Sequence, residues 1–269
     1  MASDPQHEVM HEYYELGKEA ARLSSSGAGR LEFERTQEIV LRHLPKPPAT
    51  IADIGGGPGR YALWLAGLGY RIVHRDLVPL HVEQVRMTAA PIDSAIGDAR
   101  SLDLADASVD AVLLLGPLYH LSRRADRVQA LREARRVVRP GGPVFGAGIS
   151  RWATRLDGML RLRIYEQTPA ALDLLGPLER TGVMPPLAPG GFNGFAHRPR
   201  QLRAEFASAG LAVEDLVCVE GASFLLNDLD DRAADERAWQ VILDSARAHE
   251  RVPELMGLGS HLLATGVRR

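Results

Sequence analysis

The residues best placed to do chemistry are three acids and the glycines that follow the first of them. Asp53 opens the run Asp53-Ile54-Gly55-Gly56-Gly57-Pro58-Gly59, which follows the apolar stretch 49–52 and leads into residues 60–68. There Ala62, Leu65, Ala66 and Leu68 recur at helical spacing. Glycine lets the backbone turn tightly and lets a ligand approach it with no Cβ in the way. The helix start behind such a turn is where a ligand is led. Asp76 closes the apolar stretch 70–73 about twenty residues further on, the interval of a second βα unit. A carboxylate there can accept from both hydroxyls of a ribose. Asp98, in Ile96-Gly97-Asp98-Ala99, closes a third unit, and its bland alternative is a turn or cap residue. All three acids fall at carboxyl ends of expected parallel strands, the edge where open α/β sheets bind ligands.

Spacing separates two kinds of ligand. A dinucleotide fingerprint G-x-G-x-x-G begun at Gly55 needs glycine where Arg60 stands, whereas D-x-G-x-G-x-G is met at Asp53, Gly55, Gly57 and Gly59. The second pattern resembles motif I of the Rossmann-like (class I) S-adenosylmethionine-dependent methyltransferases, of the bacterial small-molecule type. Charge agrees, since an acid at the strand end suits a cationic sulfonium better than an anionic pyrophosphate. The resemblance extends over about residues 49–150 and includes Arg139-Pro140-Gly141-Gly142 before an apolar strand at 144–149. It implies S-adenosyl-L-methionine as cofactor, held by Asp53, Gly55, Gly56, Gly57, Gly59, Asp76, Leu77, Gly97, Asp98, Ala99, Leu115 and Tyr119. In it Asp98 accepts from the adenine amino group, and an N-terminal helix carrying Tyr14 and Arg22 folds over the cofactor. Taken alone, the loop is also compatible with a plain strand-to-helix turn.

The elements that must position these residues read as an α/β fold. It is a Rossmann-like, doubly wound, mostly parallel seven-stranded sheet with helices on both faces. Residues 1–48 form an N-terminal helical lid segment, and 49–269 the methyltransferase domain with a helical substrate-lid insertion at about 151–198. Strands are expected at 109–115, 211–219 and 261–267, helices at 125–138, 199–209 and along 228–250, and a flexible Ser/Gly hinge at 24–30. Seven arginines crowd residues 123–139; a phosphate-binding face is the sharp reading and a solvated helix face the bland one.

The reacting edge should lie after the fourth strand, at Leu114-Leu115-Gly116-Pro117-Leu118-Tyr119-His120. Methyltransferases acting on nucleobase or amide nitrogens carry a polar residue, two prolines and an aromatic at this point, a pattern that Gly116-Pro117-Leu118-Tyr119 lacks. His120 is the candidate general base, because neutral imidazole accepts a proton near pH 7. The alternative is that it only positions the ligand. His197 is a weaker candidate, and His74, inside the second strand, reads as structural.

A net charge of −2 over 269 residues argues against a polyanionic substrate and leaves no nucleic-acid partner expected. The lone Cys218 excludes an intrachain disulfide and a thiolate metal cluster, and no metal is expected. No apolar run reaches the roughly eighteen residues of a membrane span, so a cytoplasmic protein with no membrane partner is expected. With only Lys18 and Lys46 against many arginines, the composition points to a high-GC bacterial source and suits secondary metabolism. The expected substrate is a small, partly apolar metabolite methylated on oxygen or nitrogen rather than carbon. The alternatives are an RNA-modifying methyltransferase and a non-methylating cofactor-binding protein of the same fold. Oligomeric state is left open.

Overall fold

The structure is a computed structural model and describes residue 23 and residues 25–186 and 192–269. The N-terminal helix expected to carry Tyr14 and Arg22 lies outside the described residues, as do both of those side chains. The chain runs α1 (Gly27–Leu41), β1 (Thr50–Ile54), α2 (Arg60–Gly67), β2 (Arg71–Asp76), α3 (Pro79–Arg86), β3 (Ile92–Ile96) and β4 (Ala111–Leu114). It continues through the single-turn α4 (Pro117–His120), α5 (Arg124–Val137) and β5 (Pro143–Ser150). After an insertion come α7 (Pro199–Ser208), β8 (Leu211–Cys218), α8 (Leu229–Ala233), α9 (Glu236–His249) and β9 (His261–Arg268). The insertion itself holds a π-helix (Thr154–Arg161), α6 (Ala171–Thr181), β6 (Val183–Met184) and β7 (Gly194–His197).

Nine strands make the sheet: seven run in the order β3-β2-β1-β4-β5-β9-β8, and β7, carrying β6, adds at the end of β5. Strands β1 to β5 are parallel neighbours, and β9 runs antiparallel between β5 and β8. The chain winds outward from β1 to β3 and then returns to β4 on the other side of β1. That reversal opens a crevice at the carboxyl ends of β1 and β4, the switch point of a doubly wound sheet. Period-two alternation sends Ala52, Ile54, Val112 and Leu114 into one buried cluster and Ile51, Ala111 and Leu113 into another. The first is covered by α5 and α7, through Val128, Leu131, Ala134, Leu202 and Phe206. The second is covered by α1 and α2, through Ile39, Val40, Ala62 and Leu65. Helices on both faces follow from strands buried on both faces.

Three features differ from the sequence reading. The stretch at 24–30 is not a loose hinge from its middle onward: Ser26 caps α1 by accepting from Gly29 N at 3.1 Å, and Gly27 opens the helix. A Cβ on Gly27 would lie 2.7 Å from Leu229 O, so glycine there serves close packing against α8 rather than flexibility. The insertion is not wholly helical, since β6 and β7 pair as antiparallel strands. β7 also pairs with the end of β5 in parallel, Ile149 opposite Ala196 and Ser150 opposite His197, beyond the point where β4 stops. The arginines of α5 form neither a phosphate face nor a uniformly solvated one. Arg127 is 2% exposed, forms a bidentate pair with Glu205 and stacks 3.6 Å over the Phe195 ring, which fastens the insertion to α7. Arg136 ties the 102–106 loop through Leu102 O, Leu104 O and Asp106, and Arg135 holds Gly210 O.

Removing one partner of a buried pair leaves the other charge uncompensated, which is worse than replacing both. Glu205→Leu should therefore lower unfolding free energy by about 3 to 5 kcal/mol, read from the urea midpoint, while the double replacement Arg127→Met with Glu205→Leu recovers much of that loss. Equal losses in the single and double variants would contradict the assignment.

Candidate active site

The loop after β1 is built around one sealed carboxylate. Asp53 is fully buried, and among the described residues neither of its oxygens has a hydrogen-bond partner. Burial, with the charge of Asp76 nearby, pushes its carboxyl up to about 7, and the Ala62 amide, near it but outside hydrogen-bond geometry, offsets only part of that. The backbone passes directly over it. A Cβ at Gly56 would lie 2.5 Å from Asp53 Oδ2 and 2.8 Å from His74 Cδ2. Gly55 and Gly57 take φ of 64° and 57°, the left-handed region that favours glycine. His74 lies beneath the loop, Nε2 3.0 Å from Gly57 O and Nδ1 2.9 Å from Ser94 Oγ. Burial holds its pKa below the ordinary value, so it is a neutral structural tile.

Asp76 closes β2 and is a hub rather than a free acceptor. Its Oδ2 accepts from Gly57 N at 2.8 Å, and its Oδ1 from Val78 N at 2.8 Å and from the His81 ring at 3.1 Å. Burial pushes this carboxyl up, but the bonds from His81, Val78 and Gly57 outweigh it and hold the group below the usual carboxylate range. The same carboxylate thus fixes the glycine loop, the start of α3 and its own orientation into the crevice, with one lone pair of Oδ2 left for a ligand. Asp98 is gripped by Arg100, which reaches Oδ2 at 2.8 Å while its backbone N reaches Oδ1 at 2.8 Å.

One cavity at the switch point brings most of the sequence-predicted residues together. Asp53, Gly55, Gly56, Gly57, Asp76 and Leu77 line it from the first two strand ends. Gly97, Asp98 and Ala99 line it from the third, and Leu115, Tyr119 and His120 from the fourth. Gly59 is not on that wall; its φ is 84° and a Cβ there would lie 2.6 Å from Val85 Cγ2, so it serves packing of α2 on α3. His197 is not on it either. It is fully buried in β7, with Nε2 3.3 Å from Glu205 and its ring against Phe195, and burial keeps it neutral. His120 ends α4 and packs with Tyr119 and Phe192, ring centroids 4.8 and 5.2 Å away. Cys218 is buried and its thiol is pushed up to about 12 by burial, which leaves it inert.

Several cavity residues escaped the sequence reading. Arg60, at the start of α2, lines the wall with its Nε lacking a hydrogen-bond partner among the described residues and its guanidinium 4.9 Å from the Phe33 ring centroid. His81 supports Asp76 from five residues away. Glu32 and His261 line the far side, with Glu220 behind His261. These come from α1 and the last two strands, and no local spacing announces them.

The antiparallel β9 between β5 and β8 separates this sheet from the all-parallel dinucleotide fold. Residues 52–146 match the methyltransferase domain family. The chain carries a class I S-adenosylmethionine-dependent methyltransferase domain. Its cofactor is S-adenosyl-L-methionine. It is 36% identical over 138 residues to a ubiquinone/menaquinone biosynthesis C-methyltransferase of Acidiphilium cryptum, covering 48% of this chain and 52% of the relative. It is 32% identical over 130 residues to a malonyl-[acyl-carrier protein] O-methyltransferase of Methylococcus capsulatus, covering 46% of each. The chain thus spans about half the length of the curated relatives it matches. A possible histamine N-methyltransferase from Thermotoga maritima shares the fold, at a TM-score of 0.59 with 17% identity over 97% of this chain and all of that one. Among the described residues no helix is long and apolar enough to cross a membrane.

The orphaned Asp53 and the glycine cradle fit a ligand whose cationic end lies against this loop. A cation favours the ionised carboxylate, so affinity for S-adenosylmethionine should rise as pH passes from 6 through about 7 and then level. Calorimetry in buffers of different ionisation enthalpy should show proton release on binding at pH 6.5. Asp53→Asn should abolish that release; an unchanged proton count in the variant would remove Asp53 from this role.

Proposed function

We propose that the chain transfers the methyl group of S-adenosylmethionine to an oxygen or nitrogen of a small, partly apolar acceptor, as a bacterial cytoplasmic enzyme. The observation that supports it most is the pair formed by the sealed Asp53 and the Asp76 hub at the switch point. Asp76 would hold a ribose hydroxyl with the remaining lone pair of Oδ2. Asp98, Ala99 and Leu77 would border the adenine. Gly55 to Gly57 and Asp53 would receive the amino end of the methionine portion, and Arg60 its carboxylate.

The cofactor brings a methyl group already made electrophilic by its sulfonium. What remains for the protein is alignment and exclusion of water. Gly116 and Pro117 pack onto the glycine loop, where a Cβ on Gly116 would lie 2.8 Å from Gly55 O. That contact fixes the β4 end against the cofactor loop and sets Tyr119 and His120 at the cavity wall. Phe192 of the insertion packs against both rings, and the insertion at 151–198 would cover the acceptor. An oxygen or nitrogen acceptor suits a wall that carries imidazoles, because such an acceptor must lose a proton as the methyl arrives. Related enzymes named as C- and O-methyltransferases leave both outcomes chemically open to the fold.

Turnover of methyl-labelled S-adenosylmethionine against phenols, catechols and primary amines tests the reading, with S-adenosylhomocysteine as the expected coproduct. Asp76→Asn should weaken S-adenosylhomocysteine binding by about 1.5 to 3 kcal/mol, since it loses a charge-assisted acceptor while keeping the side chain's shape. Unchanged affinity would overturn the role of Asp76, and binding of a nicotinamide dinucleotide in preference would overturn the function.

A further inference from the structure

Beyond β4 the cavity wall is made by β9 and the end of β8, and there the structure holds a histidine in a fixed orientation. His261 opens β9, paired with Ile149 of β5, at the same sheet edge as Asp53 and Asp76. Glu220 follows β8 by two residues and is 2% exposed. Its two oxygens serve one residue: Oε2 accepts from His261 N at 3.0 Å, and Oε1 lies 2.5 Å from His261 Nδ1. Val219 N donates to His261 O at 2.9 Å, so the β8–β9 ladder carries the dyad's backbone. Gly259 makes room for it, since a Cβ there would lie 2.3 Å from Cys218 Sγ and 3.2 Å from Glu220 Oε2. His261 lines the cavity together with Val219, Leu263 and Glu32.

Two chemistries compete for such a cluster. Glu32, Glu220 and His261 present ligand atoms within 4.8 Å of one another, which is the composition of a metal site. Ligand atoms held about 2.0 to 2.2 Å from one ion sit well over 2.5 Å apart, however, and Nδ1 and Oε1 are closer than that. The spacing is that of a charge-assisted hydrogen bond, with Nδ1–H donating to Glu220. An imidazole pinned in that tautomer carries its lone pair on Nε2, and a buried carboxylate stabilises the imidazolium that forms when Nε2 takes a proton. Of the other two imidazoles on the wall, His81 is taken up by Asp76 and His120 is set among aromatic rings.

We propose that His261, oriented by Glu220, is the base of this site, and that the acceptor therefore bears an ionisable O–H or N–H. The inference rests on the methyltransferase reading above. The acceptor's proton passes to His261 Nε2, and the electron pair it leaves behind supports the new bond from oxygen or nitrogen to the methyl carbon. The pair of the broken carbon–sulfur bond stays on sulfur, giving the neutral thioether, and the imidazolium returns its proton to water after the product leaves. His261 acts as the catalytic residue and Glu220 as its positioning residue.

The test uses the full chain loaded with S-adenosylhomocysteine and 15N-labelled at histidine. Long-range proton–nitrogen spectra should show His261, assigned by its absence in His261→Gln, as the Nδ1–H tautomer. Glu220→Ala should move it toward Nε2–H. If that variant does not fold, Glu220→Gln, which keeps the accepting oxygen and loses the charge, should keep the tautomer and lower kcat about tenfold or more. On whichever phenol, catechol or amine the wild type methylates, His261→Gln should lower kcat about a hundredfold or more while S-adenosylhomocysteine affinity stays within about twofold. An Nε2–H tautomer in the wild type, a tautomer indifferent to Glu220→Ala, a stoichiometric zinc or manganese ion bound between the two residues, or a His261→Gln kcat within tenfold of wild type each overturns the proposal. A wild type that binds S-adenosylhomocysteine but methylates nothing in the panel sinks the methyltransferase reading instead, and the tautomer still decides the dyad.

Discussion

The segment between Asp53 and α2 lies so close to its neighbours that three of its positions have no space for a Cβ. Gly55 abuts Pro117, Gly56 abuts Asp53 and His74, and Gly59 abuts Val85, with Cβ separations of 2.6, 2.5 and 2.6 Å. The contacts run in three directions, to the β4 end, to the strand below and to α3. One loop therefore sets the relative positions of the first, second and fourth strand ends, and the crevice between β1 and β4 has its shape because that backbone is glycine. The same closeness seals Asp53. With no described partner and a carboxyl raised to about 7, it destabilises the fold once it ionises: the cost is absent below the ordinary carboxylate range, grows as pH rises toward 7, and is constant above it. At about 1.4 kcal/mol per pKa unit that cost is about 4 kcal/mol, and a cation bound over the loop relieves it.

The polar groups around the cavity divide into those that hold the backbone and those with capacity left for a ligand. Asp76 does both, since it accepts from Gly57 N and Val78 N and keeps one lone pair of Oδ2 toward the crevice. Glu220 and His261 repeat the arrangement on the acceptor side, where a carboxylate holds a backbone N–H and a ring at once. Farther out, Arg127 with Glu205 and Arg151 with the carbonyls of Glu179, Arg180 and Ala196 attach the insertion to the sheet. Arg151 is buried with no salt-bridge partner among the described residues, and burial brings its guanidinium down to about 10, within the charged range at neutral pH.

Sequence reasoning reached what is local in the chain. The Asp53 loop is contiguous, strand period and glycine spacing placed β1 and α2, and the βα interval placed Asp76 and Asp98. The strand pair β6 and β7 was not legible, because β6 has only two residues and its register depends on the end of β5. Sequence position already set His120 ahead of His197 as a candidate base, and only the fold shows why they part: β7 turns His197 into the core while α4 brings His120 to the cavity. The Arg127–Glu205 pair joins residues 78 apart and the His261–Glu220 pair residues 41 apart, each across elements whose contact only the tertiary fold decides. Glu32 reads in sequence as an ordinary polar residue of a helix, and only packing of α1 over the sheet makes it part of the wall.

The central claim is that this crevice is a nucleoside-sulfonium site whose two poles are set by Asp53 and Asp76. A crystal structure of the full chain with S-adenosylhomocysteine tests it most directly. The account predicts one molecule at the carboxyl ends of β1, β2 and β4, a ribose hydroxyl on Asp76, its amino group against the Asp53 loop and its sulfur open to the side walled by Tyr119 and His261. A ligand bound elsewhere, or one in this crevice with the ribose turned away from Asp76, would contradict it.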